Sequence, residues 1–283
     1  MSQRIVCWFS CGAASAVATK LAIDENNKSE SPKELIVASI FLADEHPDSE
    51  RFKDECSNWF GQEIVNLQNE KYNASVDCVI KKTRYMSGVR GARCTKELKK
   101  QVRLDWQKHD DIHVFGMTSE EERRIDNLID SEPELELWAP LIDKGYTKPD
   151  CFKVLNDAGI ELPEMYKLGY HNNNCIGCLK AAGAGYWNKI RVDFPDVFKR
   201  RAMQEKMINV ALVKISSAKV KRLWPEVFDE MKVDKYEPKI DSRGTMRIPL
   251  RYLPVDVGSH KDMDIGACGF FCEKPGDNYK LDL

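Results

Sequence analysis

Apolar and polar positions follow two different periods along the first 130 residues of the chain. Runs of consecutive apolar residues predict buried strands, and stretches with an apolar residue every three or four positions predict helices. The predicted strands are 4–9, 34–42, 63–67, 75–81 and 112–117. The predicted helices are 13–25, 49–60, 96–107 and 119–130. This alternation predicts an α/β fold, with a mostly parallel sheet and flanking helices.

The pattern changes after residue 130. Helices are predicted over 148–158 and 195–209, and residues 210–283 mix short apolar runs with proline and glycine before a polar tail. These features predict a smaller irregular C-terminal portion beside the α/β sheet.

Composition narrows the function classes. Of the 283 residues, 42% are hydrophobic and 31% charged, as in soluble globular proteins. The net charge of −2 argues against nucleic-acid binding over the whole surface. The sequence shows neither an apolar run of about 18 residues nor the apolar core of a secretory peptide. We therefore expect the ten cysteines to be reduced thiols in the cytoplasm, with no membrane association.

Three cysteines have neighbours that favour metal or redox chemistry. Cys175 and Cys178 form a C-x-x-C pair in a segment rich in Gly and Asn, a spacing at which both sulfur atoms can face one metal centre. Cys94 lies among cations, including Arg93 and Lys96, which favour its thiolate form. If the two segments meet, they form an iron–sulfur, zinc or redox site. The alternative is that all three are structural thiols.

The turn between the first predicted strand and helix has the composition of a phosphate-binding loop. Residues 10–15 (SCGAAS) are small enough for the backbone to approach a phosphate, and amides of the following helical turn point toward it. We predict that Ser10, Gly12 and Ser15 hold the phosphate. The alternative is a purely structural turn between strand and helix.

Two other segments also follow predicted strands. Residues 44–46 come after the second strand, and residues 117–121 come after the strand that ends at residue 117. In a parallel sheet the carboxyl ends of the strands share one edge, so these segments are expected to converge on the loop.

Several segments, taken in chain order, resemble the phosphoadenylyl-sulfate (PAPS) reductase family. Residues 43–52 (ADEHPDSERF) resemble its acid-x-His-Pro-x-(Thr/Ser)-x-x-Phe stretch. Residues 116–124 (GMTSEEERR) resemble its Gly-x-x-x-acid-x-x-x-Arg segment. Residues 139–143 (APLID) and 159–170 (GIELPEMYKLGY) resemble its Pro-Leu/Ile-x-Asp…Gly-Ile…Pro-x-Tyr…Gly-Tyr run. The loop at residues 10–15 resembles a modified PP-loop, and the ordered series is more specific than any one segment.

The resemblance implies an adenine nucleotide alpha-hydrolase-like fold for residues 1–190, which would bind an adenine nucleotide or an adenylylated sulfate. Residues 191–283 would then be a helical and irregular extension. Besides the loop, the resemblance implies four nucleotide-binding residues, Asp44, His46, Glu120 and Arg124.

A cluster is also implied. In adenylyl-sulfate reductases, a cysteine pair ahead of a helix joins a later C-x-x-C around a 4Fe–4S cluster, but this chain has only Cys94 at the first place. A cluster held by the three thiolates of Cys94, Cys175 and Cys178 would have one iron without a protein ligand, which resembles the clusters of tRNA thiolation enzymes. Cys268 or Cys272 would close the site instead, and Zn²⁺ on the same thiols is the alternative metal.

Three functions follow from the resemblance. In a sulfonucleotide reductase, Cys268 or Cys272 would attack the sulfonate sulfur, and a small thiol redox protein would release sulfite. Ala14 favours this ligand, because an ATP-cleaving PP-loop usually carries aspartate there, although Thr118 replaces an arginine usual in the reductases. The second is an ATP-using, iron–sulfur-dependent sulfurtransferase acting on a nucleic acid or a metabolite, which the single Cys94 favours. The third is a non-catalytic nucleotide-binding protein with structural zinc.

Overall fold

The computed structural model describes residues 3–88, 91–263 and 265. The described chain divides by its internal contacts into two compact units. The sheet unit consists of residues 3–76 and 95–174, and the second unit consists of residues 77–88, 91–94, 175–263 and 265. The predicted nucleophiles Cys268 and Cys272 lie outside the described residues.

The strands are numbered here in chain order. They are β1 (Ile5–Trp8), β2 (Leu35–Ile40), β3 (Ile64–Leu67), β4 (Ser87–Gly88), β5 (Gly91–Ala92), β6 (Ile112–Phe115), β7 (Glu136–Trp138), β8 (Val213–Ser216) and β9 (Thr245–Ile248).

The α-helices are numbered in the same way. They are α1 (Ala13–Lys28), α2 (Asp48–Phe60), α3 (Val76–Thr83), α4 (Gln101–Trp106), α5 (Glu122–Ser131), α6 (Pro140–Asp143), α7 (Lys148–Asp157), α8 (Glu164–Lys167), α9 (Ala184–Asp193), α10 (Pro195–Ile208), α11 (Ser217–Leu223) and α12 (Glu226–Val233). None of these helices, within the described ranges, combines the length and apolar character needed to cross a bilayer.

The sheet unit is built on a five-stranded, fully parallel sheet. Its strand order is β3–β2–β1–β6–β7, so β1 is central and pairs with both β2 and β6. Ile5 of β1 is aligned with Leu35 on one side and Ile112 on the other. The predicted α/β class and parallel sheet are therefore confirmed. The loops after β1, β2 and β6 leave neighbouring strand ends at one edge of the sheet.

Alternate residues of β1 point to two apolar cores. Cys7 packs with α1, α2 and α7 on one face of the sheet, whereas Val6 and Trp8 pack with α4 and α5 on the other face. Because side chains in a strand alternate between faces, a strand covered by helices on both sides has to be apolar at every position. The continuous apolar run from Ile5 to Trp8 meets this requirement.

The predicted strand over 75–81 is wrong, because this segment is the helix α3. Val76, Val79 and Ile80 are all buried, which is the spacing of one helical face, although alternation through Cys78 also suited a strand. The carboxylate of Asp44 accepts a hydrogen bond from the Val76 amide at 2.7 Å and so satisfies a donor at the start of the helix.

Two helices differ in detail from the prediction. The helix expected over 96–107 begins as a π-helical segment, Thr95–Lys100, and continues as α4. The helix expected over 119–130 begins with the 3₁₀ turn Ser119–Glu121, which is capped by Thr118. The short edge strand β7 was missed, because only three residues form it.

The second unit contains regular structure beyond the predicted helices. Strands β8 and β9 form an antiparallel pair, in which Lys214 lies opposite Arg247. On α10, the fully buried Glu205 accepts hydrogen bonds from the amides of Leu212 at 2.7 Å and Leu250 at 2.6 Å. Burial raises the pKa of this carboxyl to about 8. The domain boundary expected after residue 190 stays a prediction.

Candidate functional site

A network of hydrogen bonds around one hydroxyl sets the shape of the predicted phosphate loop. The Ser15 Oγ accepts from the amides of Ser10 at 3.1 Å and Gly12 at 3.3 Å, and it donates to the Gly12 carbonyl at 2.8 Å. The Ser10 hydroxyl also lies 3.2 Å from Ser15 Oγ. All three predicted phosphate ligands thus meet at the N-terminus of α1, where amide dipoles favour an anion.

Cys11 has a backbone conformation that favours glycine. Its φ angle is 54°, in the left-handed region where residues with a Cβ are uncommon. Its carbonyl accepts a hydrogen bond from Asn173 Nδ2 at 2.7 Å. Burial raises the pKa of the Cys11 thiol to about 12, with a smaller contribution from Glu45. The thiol is therefore protonated at neutral pH, which suits a structural position and not a nucleophile.

Gly116, directly after β6, lies against the same loop. A Cβ added at Gly116 would be 2.4 Å from both Cα and N of Ser15, and 2.8 Å from the carbonyl carbon of Ala14. Only glycine permits this approach, because real Cβ atoms do not come so near to backbone. The residue after β6 is thus in direct contact with the first turn of α1.

The segment after β2 also reaches this edge, but its side chains have local partners. Asp44 caps α3, and the His46 Nδ1 accepts a hydrogen bond from the Asp48 amide at 3.2 Å. Ser49, in the first turn of α2, lies 3.1 Å from the Nδ2 of Asn173, which also bonds Cys11. Asn173 therefore joins the segment after β2 to the loop after β1.

Glu45, which lies between the two predicted ligands Asp44 and His46, was not predicted as a site residue. Its carboxylate is 3.8 Å from the ammonium of Lys99, and the two side chains are only 13% and 7% exposed. Burial raises the pKa of Glu45 to about 7, although Lys99 and Lys53 act in the opposite direction. A carboxyl group that titrates near neutral pH can both take up and release a proton, and such groups cluster at functional sites.

Glu120 and Arg124, two of the predicted nucleotide-binding residues, both have partners in the sheet unit. Arg124 forms an ion pair with Glu121, three residues before it, and Glu120 accepts a hydrogen bond from the Lys148 amide at 3.3 Å. Residues three apart on a helix are neighbours, which allows the pair between Glu121 and Arg124. Arg124 is about one third exposed, at 30%.

A tyrosine hydroxyl contacts the loop from the C-terminal part of the sheet unit. Tyr166 Oη accepts a hydrogen bond from the Ala13 amide at 3.3 Å, and burial raises its pKa to about 12. A ligand oxygen that bonds this amide has to displace the hydroxyl. Lys148, whose ammonium lies 6.0 Å from the centre of the Tyr166 ring, donates to the His171 carbonyl at 2.5 Å. The sequence signal for Tyr166 was its place in the segment 159–170 (GIELPEMYKLGY).

A cavity of about 490 Å³ opens at the carboxyl ends of β2 and β3. This volume lies within the range of small-molecule sites. Its lining combines polar and apolar surface and includes Lys53, whose ammonium forms an ion pair with Glu50 at 2.6 Å. The lining residues are Phe41, Glu50, Lys53, Asn66, Leu67, Gln68 and Glu70.

The C-x-x-C segment forms a buried bend in the second unit. Cys175 and Cys178 are 7% and 6% exposed, and Gly177 between them has a φ angle of 66°. The Tyr186 hydroxyl accepts from the Cys178 amide at 2.9 Å and lies 3.5 Å from the Cys175 carbonyl. The bend is therefore held by its own backbone contacts with α9.

A buried arginine supports the same bend. Arg201 on α10 is fully buried, donates to the Gly177 carbonyl at 3.3 Å and forms an ion pair with Asp77. A Cβ at Gly177 would be 2.7 Å from the Cγ1 of Val197, so the helix also restricts which residue fits there. Sequence reasoning missed Arg201, since nothing near it along the chain marks it.

The three predicted metal ligands belong to the same unit and carry reduced thiols. Cys94 is half-buried, whereas Cys175 and Cys178 are buried. Among the described residues, no group of three or more His, Cys, Asp or Glu side chains is arranged to hold a metal ion. The donor chemistry fits iron–sulfur or zinc binding, because thiolates are the preferred ligands of both. The three thiols therefore stay a predicted ligand set.

Comparison of the whole chain with protein-family models and with curated proteins finds no match in either set.

Proposed function

We propose that this protein is an enzyme that handles sulfur on or through an adenine nucleotide, and that it acts as a sulfonucleotide reductase with an adenine nucleotide alpha-hydrolase-like fold. The observation that supports the proposal most is the contact between three strand ends. The loop after β1 is organised by Ser15, touched by Gly116 from β6, and joined through Asn173 to the segment after β2. Ligands of parallel α/β sheets bind at this edge.

In this proposal the loop binds the phosphate of adenylyl sulfate or PAPS. Gly12, which lacks a side chain, and the hydroxyls of Ser10 and Ser15 would contact the phosphate oxygens at the positive end of α1. Arg124 would neutralise the anionic end of the ligand, since a guanidinium can bond two oxygens at once. Glu45, with its pKa near 7, would exchange the proton of a group in the crevice.

The chemistry is a two-electron reduction with a covalent intermediate. The thiolate of Cys268 or Cys272 forms a bond to the sulfonate sulfur, and the sulfur–oxygen bond to the nucleotide breaks, releasing AMP or its 3′-phosphate. One thiol of a dithiol redox protein then attacks the cysteine sulfur, which frees sulfite and leaves a mixed disulfide. The second thiol breaks this mixed disulfide and restores the thiolate. The reductant ends as a disulfide, so its two electrons account for the reduction of sulfate to sulfite.

A 4Fe–4S cluster, or zinc as the alternative, would be held by Cys94, Cys175 and Cys178. When bound, a cluster would supply redox capacity, whereas zinc, which has no redox chemistry, would only stabilise the fold. The residues of this chain that act on the bend are Tyr186 and Arg201, which fix its backbone before any metal binds.

The test uses protein purified without oxygen, incubated with adenylyl sulfate or PAPS and a dithiol reductant, with sulfite and nucleotide measured as products. The double variant Cys268→Ser/Cys272→Ser should release no sulfite. Gly12→Asp should weaken nucleotide binding at least tenfold, about 1.4 kcal/mol, because its carboxylate would repel the phosphate. Gly12→Asn has the same shape without the charge and should bind more tightly than Gly12→Asp. Absence of sulfite from the wild-type protein would reject the reductase.

A second candidate is a sulfurtransferase that uses ATP and a cluster with one open iron position. The observation that favours it is the single cysteine at the first ligand place, Cys94, in the unit that also contains the C-x-x-C bend. Release of AMP together with a thiolated product, without sulfite, would support this function over the reductase.

A further inference from the structure

The two units carry opposite net charges, which the net charge of the whole chain conceals. The sheet unit contains 18 Lys and Arg residues against 29 Asp and Glu, an excess of 11 negative charges. The described part of the second unit contains 22 Lys and Arg against 12 Asp and Glu, an excess of ten positive charges. A domain with such an excess of cations attracts polyanions, whatever the charge of the rest of the chain.

The cations of the second unit include a group on one small structural element. This element, here called the basic element, consists of β8, α11, β9 and the turn before β9. Its cations are Lys214, Lys219, Lys221, Arg222, Arg243 and Arg247, and Asp241 in the turn is its only acidic residue. The cations therefore outnumber the acids six to one.

Hydrogen bonds hold the parts of the basic element together. The Ser217 amide, at the start of α11, donates to the Gly244 carbonyl at 2.9 Å, and its hydroxyl donates to the same oxygen at 3.0 Å. Asp241 accepts from the amides of Arg243 at 2.9 Å and Thr245 at 2.9 Å, which fixes the turn. The first turn of α11 and the turn that carries Arg243 are thus neighbours, as are Lys214 and Arg247 across the two strands.

Three of these cations are available to a ligand. Lys219, Lys221 and Arg222 on α11 are all exposed, and within the described ranges none of them lies within 4.0 Å of a carboxylate. The Arg243 side chain is 84% exposed, and its Nη2 lies 3.8 Å from Oδ2 of Asp241. This ion pair leaves the other N–H groups of the guanidinium accessible to a ligand. An exposed ion pair of this kind contributes little stability, so it does not compete with a phosphate.

The apolar residues of α11 favour a nucleic acid over a lipid surface. A helix that lies on a membrane needs an apolar face directed at the lipid. In α11 the central Val220 is fully buried in the protein, as is most of Ser217, and Leu223 is the one large apolar side chain exposed on this helix. The other exposed residues of α11 are Ala218 and the three cations, which suits a chain of phosphates better than an acyl layer.

We propose that the basic element binds the phosphodiester backbone of a nucleic acid. This inference does not depend on the reductase proposal, because it rests on charge and exposure in the second unit alone. It also revises the expectation that a net charge of −2 argues against such a partner. Contacts to backbone phosphates carry no base information, so binding should be strongly salt-dependent and weakly dependent on sequence.

The test measures fluorescence anisotropy of labelled single-stranded RNA and duplex DNA, each of about 20 nucleotides or base pairs, with the full chain. The variant is Lys219→Gln/Lys221→Gln/Arg222→Gln. The matched control, Lys28→Gln/Lys108→Gln/Lys153→Gln, removes three exposed cations from the sheet unit and changes the net charge equally. Circular dichroism melting shows whether each variant is folded.

The wild-type chain should bind at least one of the two probes, with a dissociation constant that rises steeply between about 50 and 200 mM salt. The α11 variant should bind at least about tenfold more weakly at the lower salt concentration, with the logarithmic salt slope for the duplex reduced by about 2–3. The control should bind like the wild type. Equal losses in both variants would overturn the proposal, as would no binding, or binding to phosphatidylserine vesicles and to neither nucleic acid.

Discussion

Replacing Gly116 with alanine should disturb the predicted phosphate loop without adding charge. The new Cβ would lie 2.4 Å from Cα and N of Ser15 and 2.8 Å from the carbonyl carbon of Ala14. Carbon atoms in favourable contact are about 3.5–4.0 Å apart. Since the atoms that clash belong to the backbone, no rotamer change relieves the overlap, and β6 and α1 have to separate by about 1 Å.

The cost of this separation follows from the packing around it. Val114, in β6, and Ala16, in α1, belong to the same buried apolar core, so moving the strand and the helix apart also loosens that core. Overpacking of a core costs about 1–3 kcal/mol, and the rigid backbone places Gly116→Ala near the upper end. We expect its free energy of unfolding to fall by about 2–3 kcal/mol in urea titrations followed by tryptophan fluorescence.

Gly12→Ala is the matched control, because it adds the same methyl group to the same loop. Gly12 has a φ angle of −105°, which alanine adopts freely, and the nearest atom to its new Cβ is the Tyr166 Oη at 3.5 Å. Alanine also loses less backbone entropy than glycine on folding, so this variant should be unchanged or more stable by up to about 1 kcal/mol. If the two variants unfold within about 0.5 kcal/mol of each other, the inferred contact between β6 and the loop is wrong.

Three further predictions concern single side chains. The pKa of Glu45 is raised from 4.5 to about 7 in the folded protein, so the free energy of unfolding should fall by at most about 3 kcal/mol as pH rises from about 4.5 to 7. In Glu45→Gln this contribution should vanish, and an unchanged pH profile of stability would contradict the assigned pKa. Protein purified without oxygen should be brown and should contain iron and acid-labile sulfide. Replacing Cys94, Cys175 or Cys178 with serine should remove the colour. Full iron content in all three variants would refute the ligand set. Arg124→Lys should weaken the binding of adenylyl sulfate in a calorimetric titration, while the melting temperature stays the same. The reason is that an ammonium lacks the planar pair of N–H groups with which a guanidinium bonds two oxygens. Equal dissociation constants would make Arg124 a solvated helix residue.

The central sheet could be predicted because its strands are apolar on both faces. Residues 4–9 and 34–42 contain β1 and β2, and no local alternative competes with a buried strand of that composition. Residues 75–81 were mistaken for a strand because their apolar positions fit two periods at once. The hydrogen bond from Val76 to Asp44, which is 32 residues away in the chain, helps to stabilise the helix, and no local pattern predicts it.

The segments of the candidate site could be predicted, but their pairings could not. The loop residues Ser10 and Ser15 share one hydrogen-bond network, as their spacing around a helix start allows. The ion pair between Glu45 and Lys99 depends on a π-helical segment that carries Lys99 toward the segment after β2. Burial raises the pKa of Glu45 and Lys99 opposes this rise, so both the burial and the pairing had to be known from the fold.

The distribution of charge between the two units could not be predicted from the sequence either. A net charge of −2 results from two units that differ by more than twenty charges, and the second unit is assembled from separate stretches of the chain. Residues 77–88 and 91–94 join 175–263 only through folding, so a sum over the whole chain, or over a window of it, mixes both units. Electrostatic attraction acts on the scale of the Debye length, about 8–10 Å at physiological salt, and a partner therefore responds to the local excess of cations. The charge that matters for binding is that of the exposed surface near Lys219 and Arg243, which the basic element brings together.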